Sequence, residues 1–359
     1  MAGEFAEDLI EALPQWDAEQ DETLICQRVQ DETHDVKSFF FAPRRRSVMR
    51  FLPGQFLTFE LPIDGQILHR CYTIATSPAR PFVVGITVKR VQGGPVSNWL
   101  HDHLKPGMEL SVSGPMGDFT AAHHAAGKYL FLSGGSGITP LMSMARAAHD
   151  LCSATDIAFL HSARSPDDLI FSNELTLMER ANPGFRSMAV CETDRPARRW
   201  AGPIGRLSLP LLQLMVPDFR EREIFTCGPA PYMAAVRSLL AEAGFAMQHY
   251  HQESFDFAEL TETPPPVTAA SGTHFRVTFS KTNRVIDCPA DSFVLDAARA
   301  AGLRLPSSCA KGLCGTCKSK MTDGRVAMTH AGGIRQREID QGQVLICCAR
   351  PLSDLVIER

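Results

Sequence analysis

The sequence predicts a multidomain protein: an antiparallel β-barrel, then an α/β domain with a parallel sheet, then a small α+β domain. Three observations carry this. The 359 residues exceed what one ordinary compact core accommodates. Near Lys128 the apolar pattern changes from alternating stretches to strands alternating with helical segments. A stretch rich in Pro, Thr, Ser and Ala (FAELTETPPPVTAASGT, Phe257–Thr273) then precedes a third patterned segment. The expected organisation is a tail over 1–20, a barrel over 21–122, an α/β domain over 123–256, a linker over 257–272 and a last domain over 273–359.

In the first domain, Glu22–Leu61 alternates apolar and polar residues around a Pro53-Gly54 turn, as hairpins do. Tyr72–Ile74, Phe82–Val88 and Glu109–Val112 continue that pattern. In the second domain the short apolar strands YLFL, IAFLHSA, SMAVCE and EIFTC alternate with helices over Ile138–Asp150, Asn173–Ala181, Ser208–Met215 and Pro231–Ala243. Continuous apolar strands between helices imply a parallel sheet covered on both faces. The third domain opens with Phe275, Val277 and Phe279, turns at Thr282-Asn283, returns through Val285–Cys288 and offers a helix over Ser292–Ala301.

Composition narrows the function classes. With 44% hydrophobic and 21% charged residues and a net charge of −4, the chain is globular and has no broad basic field for nucleic acid. No run of 18 apolar residues occurs, and Met1–Leu13 (MAGEFAEDLIEAL) lacks the basic start and apolar core of a secretory signal; no membrane association and a cytoplasmic location are expected. Met1–Gln20 reads as a lightly helical or disordered tail, or as a docking element.

Eleven cysteines, an odd and high number for a reducing compartment, point to metal rather than to a disulfide framework. Cys309, Cys314 and Cys317 have the spacing C-x4-C-x2-C, and Cys347 follows after 29 intervening residues. That is the pattern of a plant-type 2Fe-2S cluster, and Gly312 and Gly315 let backbone N–H groups approach the sulfurs. Zinc is the competing metal, but its sites use two short C-x2-C knuckles and here no second pair mirrors the first. Cys348 adjoins Cys347, so counting leaves the fourth ligand open between them. Cys26, Cys71, Cys152, Cys191 and Cys288 read as small core residues. His101, His103, His123 and His124 read as solvated or capping.

Two further motifs accompany the cysteine loop. Arg70-Cys71-Tyr72-Thr73 combines a guanidinium suited to phosphate with an aromatic and a hydroxyl. Gly93-Gly94-Pro95-Val96-Ser97 and Ser133-Gly134-Gly135-Ser136-Gly137-Ile138-Thr139-Pro140 are Gly-rich turns entering helices, where free N–H groups and the helix dipole favour phosphate. Alone, each is a weak signal.

Together with Cys227-Gly228-Pro229 at the end of EIFT, these segments resemble the ferredoxin-NADP reductase superfamily fused to a C-terminal β-grasp ferredoxin domain, over nearly everything after Asp21. The resemblance implies a flavin on Arg70, Cys71, Tyr72 and Thr73, on Thr87, Val88, Lys89 and Arg90 of the neighbouring strand, and on Gly94, Pro95, Val96 and Ser97. It implies nicotinamide nucleotide on Gly135, Gly137, Ile138, Thr139, Cys227, Gly228 and Pro229, with Tyr72, Thr73 and Cys227 at the reacting rings, and Glu253 and Phe255 near the flavin. Cys347 is favoured as fourth cluster ligand because VLICCARP resembles a ferredoxin ending.

The same resemblance implies electron flow from nucleotide through flavin to cluster, then singly to a redox protein. FAD is preferred over FMN from the domain order. NADH is preferred over NADPH because Asp167 and Asp168 follow Arg164 where a 2′-phosphate would lie. The implied partner is a Rieske-type oxygenase acting on a quaternary amine such as glycine betaine, or alternatively a hybrid-cluster protein or another redox protein. An iron-sulfur regulatory or binding module is the reading from another class.

Overall fold

The computed structural model describes residues 13–18, 21–195, 199–255, 273–303, 305, 312, 315, 317–330 and 333–359. The expected linker over 257–272 and the cysteines Cys309 and Cys314 lie outside these residues. The chain forms two compact units, one of Met1–Leu57 with Tyr72–Asp256, the other of Thr58–Cys71 with Phe257–Arg359.

A six-stranded sheet is built from β1 (Thr23–Thr33), β2 (Val36–Pro43), β3 (Phe56–Ile63), β4 (Gln66–Thr73), β5 (Val84–Lys89) and β6 (Glu109–Met116), in the order β4-β3-β6-β1-β2-β5. β1, β2 and β5 pair antiparallel, and an Ile74↔Ile86 bridge joins the segment after β4 to β5. Phe39, Phe41 and Ile86 alternate inward and are fully buried. Helix α1 (Pro95–His103) follows β5, with Pro95 in its first turn and Gly94 as its N-cap.

The α/β domain contains β7 (Lys128–Gly134), α2 (Ile138–Asp150), β8 (Asp156–Ala163), α3 (Ser172–Ala181), β9 (Phe185–Cys191), α4 (Leu209–Met215), β10 (Glu223–Gly228), α5 (Ala230–Glu242) and β11 (Tyr250–Ser254). All its strand pairs are parallel, in the order β11-β10-β7-β8-β9. Successive side chains of a strand point to opposite faces, so continuous apolar strands need cover on both. Phe131, Phe159 and Phe225 pack with α2 and α3 on one face, Leu130, Leu132 and Leu160 with α4 and α5 on the other. The order reverses between β7 and β10, so connections leave these two strands toward opposite faces and open a crevice at their carboxyl ends. At the amino ends, fully buried Arg222 spans Asp156 (2.8 Å), Asp218 (2.8 Å) and the Tyr129 carbonyl (3.1 Å).

In the C-terminal domain, β12 (His274–Phe279) and β13 (Arg284–Pro289) form the expected hairpin, with Asn283 at φ 49° in its turn. The sheet order β13-β12-β18-β14-β16 includes β14 (Lys318–Asp323), β16 (Gln343–Leu345) and β18 (Leu355–Glu358); β12 and β18 are parallel. Two short strands, β15 (Val326–Met328) and β17 (Ala349–Pro351), pair separately. Helix α6 (Val294–Ala300) covers the sheet through Val294, Leu295 and Ala298, and α7 (Gln336–Asp340) precedes β16. This is the α+β grasp arrangement.

Several local expectations are corrected. Part of the expected tail is pinned: Trp16 is buried, and its backbone N–H donates to the Val48 carbonyl at 2.9 Å. His101 is buried rather than solvated, its Nε2 lying 2.8 Å from the Val88 carbonyl. His124 lies against the His251 ring at 3.8 Å. Cys152 is exposed with φ 50°, at a helix end and not in a core.

Candidate flavin, nucleotide and cluster sites

The crevice at the switch point is made by close backbone approach. A Cβ on Gly137 would sit 2.5 Å from the Gly228 nitrogen and inside the Cys227 carbonyl, so only glycine lets the turn after β7 lie against the turn after β10. Gly135 has φ 52° with open space where a Cβ would point. The contact brings the N-termini of α2 and α5 together, two sets of unpaired N–H groups with positive potential, which suits a pyrophosphate.

Strand register puts Cys227 beside Ser133 of β7 on one side and Glu253 of β11 on the other. Burial pushes the Cys227 thiol far up, so it stays protonated. Burial likewise raises the Glu253 carboxyl to about 8, and its Oε2 has no hydrogen-bond partner among the described residues. Behind them, Ser133 Oγ lies 2.7 Å from His161 Nδ1, and burial lowers the His161 ring to about 4. The pocket floor is therefore polar in composition and uncharged near neutrality. The sequence reading missed Ser133, His161 and Tyr232; the Tyr232 ring fills the gap over Gly134 and Gly228.

Beyond Gly134 and Gly135 the crevice continues between Asp35, Lys89, Arg164, Asp168, Glu192 and Tyr232. Arg164 Nη2 lies 2.5 Å from Asp168 and 3.3 Å from Asp35, while Lys89 takes the Asp35 carboxylate at 3.4 Å. Burial works against the Asp168 charge, but the Ser165 hydroxyl at 2.6 Å and Arg164 hold its carboxyl below the usual range. Both cations at this end are thus already paired with carboxylates.

On β4, alternation puts Arg70 and Tyr72 on one face and Cys71 and Thr73 on the other. Arg70 is exposed and, among the described residues, donates to its neighbour's carbonyl, His69 O, at 2.8 Å; Thr73 is buried. A phosphate fits beside that exposed guanidinium. Thr87 and Val88 turn their side chains inward: the Thr87 hydroxyl meets Ser38 Oγ at 2.8 Å. The Ser97 hydroxyl accepts the Val91 N–H at 3.1 Å and so shapes the turn. These three residues offer backbone, not free side chains, to a ligand. Just past Tyr72-Thr73, Ser143 Oγ donates to the Thr76 carbonyl (2.9 Å) and Arg146 Nη1 to the Ala75 carbonyl (2.5 Å). Arg146 is itself held by Glu174 at 2.6 Å and stacks over Phe171. The segment that follows β4 and helix α2 are thereby fixed to one another.

Of the cysteines expected to hold the cluster, Cys317 and Cys347 are described, and both are buried. Gly312 and Gly315 have φ 70° and 71°. A Cβ on Gly312 would stand 2.8 Å from Cys348 Sγ, and one on Gly315 would stand 3.0 Å from the Gly333 carbonyl, so glycine is what fits beside Cys348 at 312 and beside Gly333 at 315. Cys348 Sγ lies 3.6 Å from the Leu345 carbonyl. Buried cysteines with main chain close beside them fit a 2Fe-2S cluster. No helix among the described residues is long and apolar enough to cross a membrane.

Comparison with known proteins finds the three corresponding domains. Residues 24–121 match the oxidoreductase FAD-binding domain, 131–238 the oxidoreductase NAD-binding domain and 277–352 the 2Fe-2S iron-sulfur cluster binding domain. The chain is 45% identical over 344 residues to the glycine betaine monooxygenase reductase subunit of Pseudomonas aeruginosa, covering 93% of this chain and 94% of that one. It is 39% identical over 339 residues to the stachydrine N-demethylase reductase subunit of Rhizobium meliloti, covering 94% and 96%. Among solved structures, phthalate dioxygenase reductase superposes with a TM-score of 0.57 at 24% identity, over 96% of this chain and 100% of that one, a likeness of fold.

Proposed function

Because the chain belongs to the family of FAD-, NAD- and 2Fe-2S-binding oxygenase reductases, we propose that it draws electrons from NADH and delivers them singly to a Rieske-type oxygenase that demethylates or hydroxylates a quaternary amine such as glycine betaine. The observation that carries the reading is the meeting of Gly137, Cys227 and Glu253 at the switch-point crevice, in a chain that also buries Cys317 and Cys347. When bound, FAD takes two electrons as a hydride, and the 2Fe-2S cluster passes them on one at a time.

The chain's own residues bind, orient and exclude water. The N-termini of α2 and α5 and the Gly135–Gly137 turn hold the nucleotide pyrophosphate. Cys227 and Glu253, both held neutral by burial, border the nicotinamide ring and fix its face without forming a covalent bond. Arg70 would pair with flavin phosphate and Tyr72, on the same face of β4, would pack on the ring, while buried Thr73 would line the strand behind them. Ser143 and Arg146 hold the strand that carries these residues in register with the nucleotide crevice. Cys309, Cys314, Cys317 and Cys347 hold the cluster. The paired state of Arg164 supports NADH as donor, since a 2′-phosphate would have to displace a carboxylate from it.

The test is anaerobic titration of the purified protein with NADH and, separately, NADPH, following flavin and cluster absorbance and the low-temperature EPR of reduced 2Fe-2S. Flavin bleaching with appearance of the EPR signal is expected, with NADH the better donor. Addition of a Rieske oxygenase component should make NADH oxidation depend on glycine betaine. Bound flavin that NADH cannot bleach, or a cluster silent after flavin reduction, refutes the reading.

A further inference from the structure

The hairpin β3–β4 is where the flavin motif begins, yet the compact unit that contains Thr58–Cys71 is the one formed by Phe257–Arg359. The division falls between Cys71 and Tyr72, inside the motif. Within this second unit, one group of charged side chains ties the hairpin to the loop that bears the cluster ligands. Lys318 directly follows Cys317, and its Nζ lies 2.7 Å from Glu338 Oε1 and 3.8 Å from Glu60 Oε1 on β3. The other oxygen of Glu338 accepts the Arg335 N–H at 2.8 Å, which fixes it at the start of α7. Glu60 Oε1 lies 3.5 Å from His69 Nε2, and the His69 ring edge stands 3.9 Å from where a Cβ on Gly315 would be.

These side chains are largely withdrawn from water: Lys318 is 10% exposed, His69 15%, Glu338 17% and Glu60 25%. Little of their attraction is screened, but desolvation cancels much of its value as stability, and apolar residues of the same volume would serve stability as well. What such a group supplies is one definite geometry. It holds Arg70, next in sequence to His69, and Cys317, next to Lys318, at a set separation along the path electrons must take.

We infer that Glu60, His69, Lys318 and Glu338 form a latch that positions the flavin-binding hairpin against the cluster loop and so sets the rate of flavin-to-cluster electron transfer. These are positioning residues; none touches a reacting atom. The inference rests on the proposed reductase reading.

The test is anaerobic stopped-flow reduction of the flavin- and cluster-loaded protein by NADH, in wild type, Lys318→Met, Glu60→Gln and Lys318→Arg. Flavin bleaching should keep its wild-type rate in all four. Cluster reduction should slow severalfold in Lys318→Met and Glu60→Gln, because electron transfer weakens as its two centres are displaced, and recover in Lys318→Arg. In steady state, ferricyanide, which can accept from flavin, should be reduced normally, whereas cytochrome c reduction through the cluster should fall. Iron content and the EPR spectrum are measured on each variant; Glu60→Gln, distant in sequence from the ligand loop, keeps the test open if Lys318→Met sheds its cluster. Wild-type cluster reduction in Glu60→Gln and in cluster-retaining Lys318→Met, or slowing that Lys318→Arg shares, overturns the latch alone. Failure of NADH to bleach the wild-type flavin overturns the reading of the chain on which the latch rests.

Discussion

Donor choice is open to a single isosteric change, Asp168→Asn. The Asp168 side chain is 8% exposed and bonds both the Ser165 hydroxyl and Arg164. Asparagine keeps the shape and an oxygen for Ser165 but removes one of the two carboxylates that occupy the guanidinium. A unit charge pair at 4 Å is worth ~1 kcal/mol in bulk water and ~4 kcal/mol at an effective dielectric of 20. Arg164 is 61% exposed, which places the gain near the lower end. About 1–2 kcal/mol corresponds to a rise of about 5- to 30-fold in the NADPH/NADH ratio of kcat/KM. The assay is steady-state ferricyanide reduction with each donor over a range of concentrations. The rise should come from NADPH, with NADH within a few-fold of wild type. A ratio unchanged within about twofold, on the scale where 1.4 kcal/mol is tenfold, would show that Arg164 does not face the ribose 2′ position.

Three further outcomes are expected. Gly137→Ala drives a methyl group into the Cys227–Gly228 backbone; overpacking of this kind costs about 1–3 kcal/mol, read as a lower Tm, and KM for NADH should rise as the crevice is displaced. Glu253→Gln should flatten the pH dependence of stability. The native carboxyl titrates at about 8 against 4.5 for the free group, so the folded protein retains a proton that the unfolded chain releases. Glu253 therefore removes stability as pH rises from about 4.5 to about 8, and thermal melts across that window should show the wild type losing more than the variant. Cys347→Ser should lose the 2Fe-2S EPR signal while Cys348→Ser keeps it; the reverse result reassigns the fourth ligand.

Much of this architecture is legible in the sequence because its causes are local. Continuous apolar strands followed by helical segments specify a covered parallel sheet, and the glycines at 135 and 137 mark a turn, the first by its positive φ and the second by a position no side chain could enter. The spacing of Cys309, Cys314 and Cys317 needs no tertiary information at all. What escaped the reading depends on residues distant in sequence meeting in space. His101 is buried because its ring finds the Val88 carbonyl, and His161 finds Ser133 only when β7 and β8 align. The charges of Arg222, Asp156 and Asp218 look like solvated surface until the amino ends of the sheet close over the guanidinium. Glu60 and Lys318 likewise show no relation until the hairpin and the cluster loop meet. The hydroxyls of Thr87 and Ser97 likewise find partners that spacing does not show, Ser38 and the Val91 N–H.

Ser143 and Arg146 grip Thr76 and Ala75 by their carbonyl oxygens, an atom every amino acid possesses. The attachment is consequently indifferent to which residues stand at 75 and 76. Replacements there can retune the surroundings of the flavin, generation after generation, without loosening the alignment of its strand with the nucleotide crevice. Drift at 143 or 146 has no such freedom, so relatives that diverge in flavin chemistry should vary on the gripped side of this joint and hold still on the gripping side.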